Sequence, residues 1–275
     1  MSIFTSVLCA LDPVHDAARV LRHAVGFAGL CEARLTVLSV TRDDVRVAEA
    51  RVRRQIAEAI PPGAYYPADV SVRVVKLALG QPIDSILDAA KDGVDLIVAG
   101  THSTSGWSRW LLGSTSAALM METTCPLLLV PPGQVEVVRL DGGRAVLVPG
   151  AVLVAVDPAE HNDRQLALAS EMAALAGQSL VAMTAVVAGS DAAAAEQVLR
   201  TRTANAAPVA VSRYVVRAGA VAETIDLAAV DEHAGLVVMG LREQGARGEV
   251  AAAVLKTKDA VVLAVPPMVP APPLV

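Results

Sequence analysis

Aromatic side chains are scarce here: two Trp, three Tyr and two Phe make up 3% of 275 residues. Ala, Val and Leu supply most of a 54% hydrophobic content. That composition suits a buried parallel sheet packed with alanine-rich helices. Positive charge is also short. The net charge is −5, which excludes general electrostatic attraction to nucleic acid. Arg46, Arg51, Arg53 and Arg54 cluster at helical spacing and read as the wet face of one helix.

Cysteines number three, Cys9, Cys31 and Cys125, each in or beside an apolar segment. An odd number so placed reads as reduced core thiols of a cytoplasmic protein. No Cys/His pair has ligand spacing, so no metal site is expected. The opening MSIFTSVLCALD lacks a basic stretch and is broken by Asp12, so no signal peptide is expected. The uncharged C-terminal run, AVVLAVPPMVPAPPLV, carries five prolines. It reads as a strand and an extended tail, not a membrane helix. There is no Walker loop with its lysine, no Gly-x-Ser-x-Gly and no HExxH. Enzyme chemistry is therefore limited to slow ATP hydrolysis, if any.

What is present is alternation. Strands are predicted over 3–11, 34–40, 70–77, 95–100 and 126–130. Helices are predicted over 16–29, from Asp43 or Asp44 to about 60, over 83–91, and over 114–122. Pro61-Pro62-Gly63 stops the second helix. Five strands alternating with four helices imply a doubly wound parallel sheet with right-handed crossovers. After Pro131-Pro132-Gly133, the segment VEVVRLDGGRAVLV reads as a hairpin around Asp141-Gly142-Gly143.

The first pattern then returns. VLCALDP at Val7 matches VLVAVDP at Val152, DLIVAG at Asp95 matches GLVVMG at Gly235, and LLLVPP at Leu127 matches VLAVPP at Val262. The offsets are 145, 140 and 135 residues. The chain is a tandem duplication: one unit over 1–133, a hairpin linker over 134–150 and a second unit over 151–275. The second copy is five residues shorter between its fourth and fifth strands.

That shortening falls on a loop of twelve residues, Thr101 to Leu112, long for an α/β connection. The loop closes on Gly113-Ser114-Thr115 at a predicted helix start, where free N–H groups suit a phosphate. In a doubly wound sheet, ligands bind at the carboxyl ends of strands where their order reverses. Asp12, Val40 and the segment from Gly100 to Thr115 then share one crevice. Asp12 is placed to hold a ribose, Val40 to read an adenine edge, and Ser103, Ser114 and Thr115 to hold phosphates. In the second copy Gly248-Glu249 replaces Gly113-Ser114. A carboxylate there opposes phosphate, so the first unit is expected to hold the competent site, although Asp157 repeats Asp12.

On these residues the chain resembles the universal stress protein family, whose ATP-binding members carry G-x2-G-x9-G-[ST] after the fourth strand. Here the pattern is Gly100-x2-Ser103-x9-Gly113-Ser114, with Ser103 departing from glycine. Asp12 after an apolar strand, GQPIDSIL from Gly80 and CPLLLV from Cys125 also resemble the family. The resemblance implies two tandem doubly wound α/β domains, each a five-stranded parallel sheet in order 3-2-1-4-5, paired through their fifth strands. It also implies ATP, with or without Mg²⁺, held by Asp12, Val40, Gly100, Ser103, Gly113, Ser114 and Thr115.

The expected function is a regulatory protein that binds ATP in its first unit, with an unidentified protein partner. The alternative is an interaction module that has lost nucleotide binding in both units. His102, Trp107 and Trp110 lie in the same loop; the tryptophans are expected to anchor it rather than stack a base.

Overall fold

The computed structural model describes residues 2–14, 17–60, 70–77, 79–101, 113–132, 136–141, 144–160, 163–206, 208–242, 248–257 and 260–267. The first half runs β1 (Ser6–Ala10), α1 (Ala17–Cys31), β2 (Arg34–Thr41), α2 (Val45–Ala59), β3 (Val70–Lys76), α3 (Pro82–Ala90), β4 (Leu96–Gly100), α4 (Ser114–Glu122) and β5 (Leu127–Val130). A hairpin, β6 (Val138–Asp141) and β7 (Arg144–Leu147), follows. The second half runs β8 (Ala151–Ala155), α5 (Asp163–Ala176), β9 (Ser179–Val186), α6 (Ala192–Thr203), β10 (Val211–Ala218), α7 (Val221–Asp231), β11 (Leu236–Gly240), α8 (Glu249–Thr257) and β12 (Val261–Val265).

Ten strands form one sheet in the order β10-β9-β8-β11-β12-β5-β4-β1-β2-β3. Each half is a parallel sheet in order 3-2-1-4-5, as expected. The halves join where β5 and β12 run antiparallel, with Leu129 opposite Val262, Leu128 opposite Leu263 and Leu127 opposite Ala264. These strands are aliphatic at every position because both faces are covered. Leu128, Val130, Val261, Leu263 and Val265 pack into the core on one face of the sheet. Leu127, Leu129, Val262 and Ala264 pack into the core on the other. Each core is therefore continuous across the seam. Full burial of one such leucine contributes about 1.5–3 kcal/mol, so the shared cores bind the halves strongly.

Local signals set the element ends. Asp44, not Asp43, caps α2: its carboxylate accepts from the N–H groups of Arg46 and Val47 at 2.9 and 3.2 Å. Pro82 opens α3, and Asp84 reaches back to the Gln81 N–H at 3.1 Å. Arg53 pairs with Glu49 at 2.7 Å and Arg54 with Glu58 at 3.6 Å along α2, the solvated face expected of that cluster. Asp95, just before β4, accepts from Thr5 N, Thr5 Oγ1 and Ser6 N at 2.8, 2.7 and 3.0 Å, which ties the start of β1 to β4.

The hairpin packs on α1. A Cβ at Gly26 would lie 2.1 Å from Val138 Cγ1, so only glycine permits this approach. His23 is fully buried in the same contact. Its Nδ1 donates to the Arg19 carbonyl at 2.9 Å, and its Nε2 accepts from the Val137 N–H at 3.4 Å. Burial lowers the pKa of this imidazole, although the bond to the Arg19 carbonyl acts against the shift. Burial also pushes the Cys9 thiol up to about 12 and Cys31 up to about 11, and raises that of Cys125. All three are inert core thiols. Among the described residues, no helix is long and apolar enough to cross a membrane. The expected hairpin tip at Gly142-Gly143 and the proline-rich tail from 268 lie outside the described residues.

Candidate functional site

Strands β1 and β4 are neighbours, and their connections leave on opposite faces of the sheet. A crevice opens at their carboxyl ends, as the topology requires. It is a cavity of about 210 Å³. Asp12, Val40, Gly100 and Thr115 all line it, although they lie on four separate segments. Apolar walls come from Leu38, Ile86 and Leu119.

Backbone bonds hold the rim. The Leu11 N–H donates to the Leu38 carbonyl at 2.8 Å, and the Thr101 N–H to the Val130 carbonyl at 3.2 Å. Asp12 Oδ1 accepts from the Val14 N–H at 2.9 Å, an Asx turn that orients the carboxylate at the mouth. Gly100 sits where a Cβ would come within 3.0 Å of Val20 Cγ2.

Gly113 is the N-cap of α4, and no side chain caps the helix. Its N–H donates to the Thr101 carbonyl at 3.0 Å, which brings the two ends of the long loop together. Gly113 has φ −60° and ψ 146°, a conformation open to any residue, so backbone strain does not require glycine here. Ser114 is exposed at the first helical position and Thr115 is half-buried. The first N–H groups of α4 leave the helix end unpaired by intrahelical carbonyls and carry its positive dipole end. Ser103, like His102, Trp107 and Trp110, lies outside the described residues.

One participant is missing from the sequence-derived set. Ser116 lines the cavity, is buried, and donates from Oγ to the Gly100 carbonyl at 2.6 Å. It fastens α4 to the end of β4. The run Gly-Ser-Thr-Ser holds a third hydroxyl that could have signalled it, but only the fold shows that this hydroxyl turns inward.

The second half keeps a cavity at the same place, of about 150 Å³. Ala155, Met183 and Met239 stand where the first half has Ala10, Leu38 and Ala99, as the two sets of strand registers show. Here Arg242 Nη2 donates to Asp157 Oδ2 at 2.8 Å, and Arg242 Nε lies 3.7 Å from Glu160. The repeat of Asp12 is thus engaged by a cation from the chain itself. Gly248 precedes Glu249 at the start of α8 and has φ +79°.

The universal stress protein family model matches residues 4–131. A universal stress protein of Bacillus subtilis, YxiE, is 29% identical over 147 residues, which cover 46% of this chain and 99% of that protein. A Staphylococcus epidermidis protein named for the same family is 30% identical over 142 residues, 47% of this chain and 86% of its own length. Over the whole chain, the crystal structure of a universal stress protein from Archaeoglobus fulgidus superposes with a TM-score of 0.69 at 18% identity. That superposition covers 95% of this chain and 96% of the other. The doubled α/β architecture is therefore found in another protein of that description, and by its sequence matches and its fold this chain belongs to the universal stress protein family.

Proposed function

We propose that this protein is a nucleotide-binding regulator that takes ATP in the cleft of its first half. The observation that carries this reading is the convergence of Asp12, Val40, Gly100 and Thr115 on one cavity, beside the uncapped start of α4. A carboxylate at a cleft mouth accepts hydrogen bonds from ribose hydroxyls. Leu38, Ile86 and Leu119 supply an apolar slot for a base. The N–H groups and hydroxyls from Gly113 to Thr115 supply donors and a dipole end for phosphates. Ser103 is assigned to the same phosphate group by its spacing alone.

ATP serves as a signal read through the loop over 101–112, with no hydrolysis or very slow hydrolysis. The test is a thermal melt of nucleotide-stripped protein with millimolar ATP and Mg²⁺. A ligand specific for the folded state raises the melting temperature by mass action. A rise that disappears in Ser114→Glu supports the reading. No rise in the unaltered protein refutes it and leaves the interaction-module alternative.

A further inference from the structure

We propose that the cleft of the second half is a separate site for an uncharged nucleoside, a base with ribose and no phosphate. This goes beyond the ATP reading: site, residues and ligand all differ, and it holds whether or not the first cleft takes ATP.

The framework of the second cleft is intact. The Val156 N–H donates to the Met183 carbonyl at 2.8 Å, and the Leu241 N–H to the Val265 carbonyl at 2.8 Å. These bonds repeat the Leu11–Leu38 and Thr101–Val130 bonds of the first half. Duplication therefore preserved the cavity and changed its lining. Met183, Ile225, Met239 and Ala251 make an apolar wall in which two thioethers replace the shorter Leu38 and Ala99. Methionine adapts its shape to a flat ring and contacts it favourably through sulfur.

The rim selects against phosphate. Asp157 and Glu160 share one guanidinium, that of Arg242, so the three groups together carry one net negative charge. Glu249 adds another carboxylate at the first position of α8, where α4 has Ser114. From the described residues, a phosphate approaching this end meets net negative charge at the helix start that would otherwise favour it. Carboxylates that repel phosphate still accept from ribose hydroxyls. An apolar wall and an acidic rim together fit a neutral ring compound rich in hydroxyl donors.

Methionine also supplies the readout. Met183 and Met239 line the second cleft, whereas no methionine is among the described residues that line the first. The full chain, labelled with ¹³C at its methionine methyl groups, is titrated with adenosine, AMP and ATP. The two resonances are assigned with Met183→Leu and Met239→Leu, which conserve volume. Saturable shifts of both resonances by adenosine are expected, with affinity at least tenfold higher than for AMP, and unchanged in Ser114→Glu. Absence of shifts at millimolar adenosine overturns the proposal. So does equal or tighter binding of AMP or ATP at these methyls, or loss of the adenosine shifts in Ser114→Glu. Failure of the ATP reading is seen separately, as a melting temperature that ATP does not raise.

Discussion

Gly248 of the second half packs against Met120 of the first: a Cβ built on Gly248 would lie 3.2 Å from Met120 Cβ. The contact joins the start of α8 to α4 across the β5–β12 seam. Gly248 also has φ +79°, which side chains rarely adopt. Gly248→Ala therefore meets both strain and crowding and should cost about 1–2 kcal/mol, read as a lower urea midpoint. Gly113→Ala, at φ −60°, meets no backbone strain and should cost less than Gly248→Ala. Equal costs at the two positions would refute this account.

Gly26→Ala sets two effects against each other. Alanine gains about 1 kcal/mol of helix propensity, but its methyl would lie 2.1 Å from Val138 Cγ1. Overpacking of this kind costs about 1–3 kcal/mol, so net destabilisation is expected. A Val138→Ala background removes the two Cγ atoms but keeps the Cβ, 2.8 Å from the new methyl, so Gly26→Ala should cost less there than in the parent without becoming stabilising. A double-mutant cycle by denaturant unfolding checks the coupling; additive effects would show that α1 and the hairpin do not meet as described.

His23 makes stability depend on pH. Burial holds its imidazole neutral in the folded chain, whereas the unfolded chain protonates near the ordinary value of 6.5. Below that value the unfolded state binds more protons, so this contribution to stability falls as pH falls and is constant above it. Protonation at Nε2 would also oppose the Val137 N–H donor. Unfolding free energies between pH 7.5 and 5 should fall more steeply for the unaltered protein than for His23→Gln. Identical slopes would show that His23 titrates alike in both states.

Asp95 holds three donors of the segment before and at the start of β1. Asp95→Ala should cost about 1–3 kcal/mol, because charge-assisted bonds are lost from a half-buried strand end. Asp95→Asn retains acceptor oxygen and should cost less. Chemical denaturation of the three proteins gives the order directly, and an alanine variant as stable as the parent would remove this tie from the fold.

The lining of the first crevice was legible at Asp12, Val40, Gly100 and Thr115 because each marks the end of an element whose period is plain in the sequence. Strand order then brings those ends together. The walls were less legible. Leu38, Ile86 and Leu119 look like any core aliphatic until the fold leaves them facing a cavity. Ser116 is one hydroxyl of a run in which only a helix of known orientation separates inward from outward positions. The second cleft was the hardest to foresee. Glu249 and the shortened loop argue against phosphate, but they do not reveal that the cavity itself persists, or that Arg242 reaches Asp157 across its mouth.

Hydrophobic period, turn residues and the internal repeat are local or periodic features, so the sequence by itself determined the element order, the duplication and the strand ends that meet at the cleft. The antiparallel β5–β12 seam was implied only by family resemblance. The seating of the hairpin on α1 at Gly26, the turn of Ser116 into the cleft and the Arg242–Asp157 pair were decided by tertiary structure. Each is a contact between residues far apart in the chain or a choice of side-chain direction. Such choices are set by packing over whole elements, which no short window of sequence encodes.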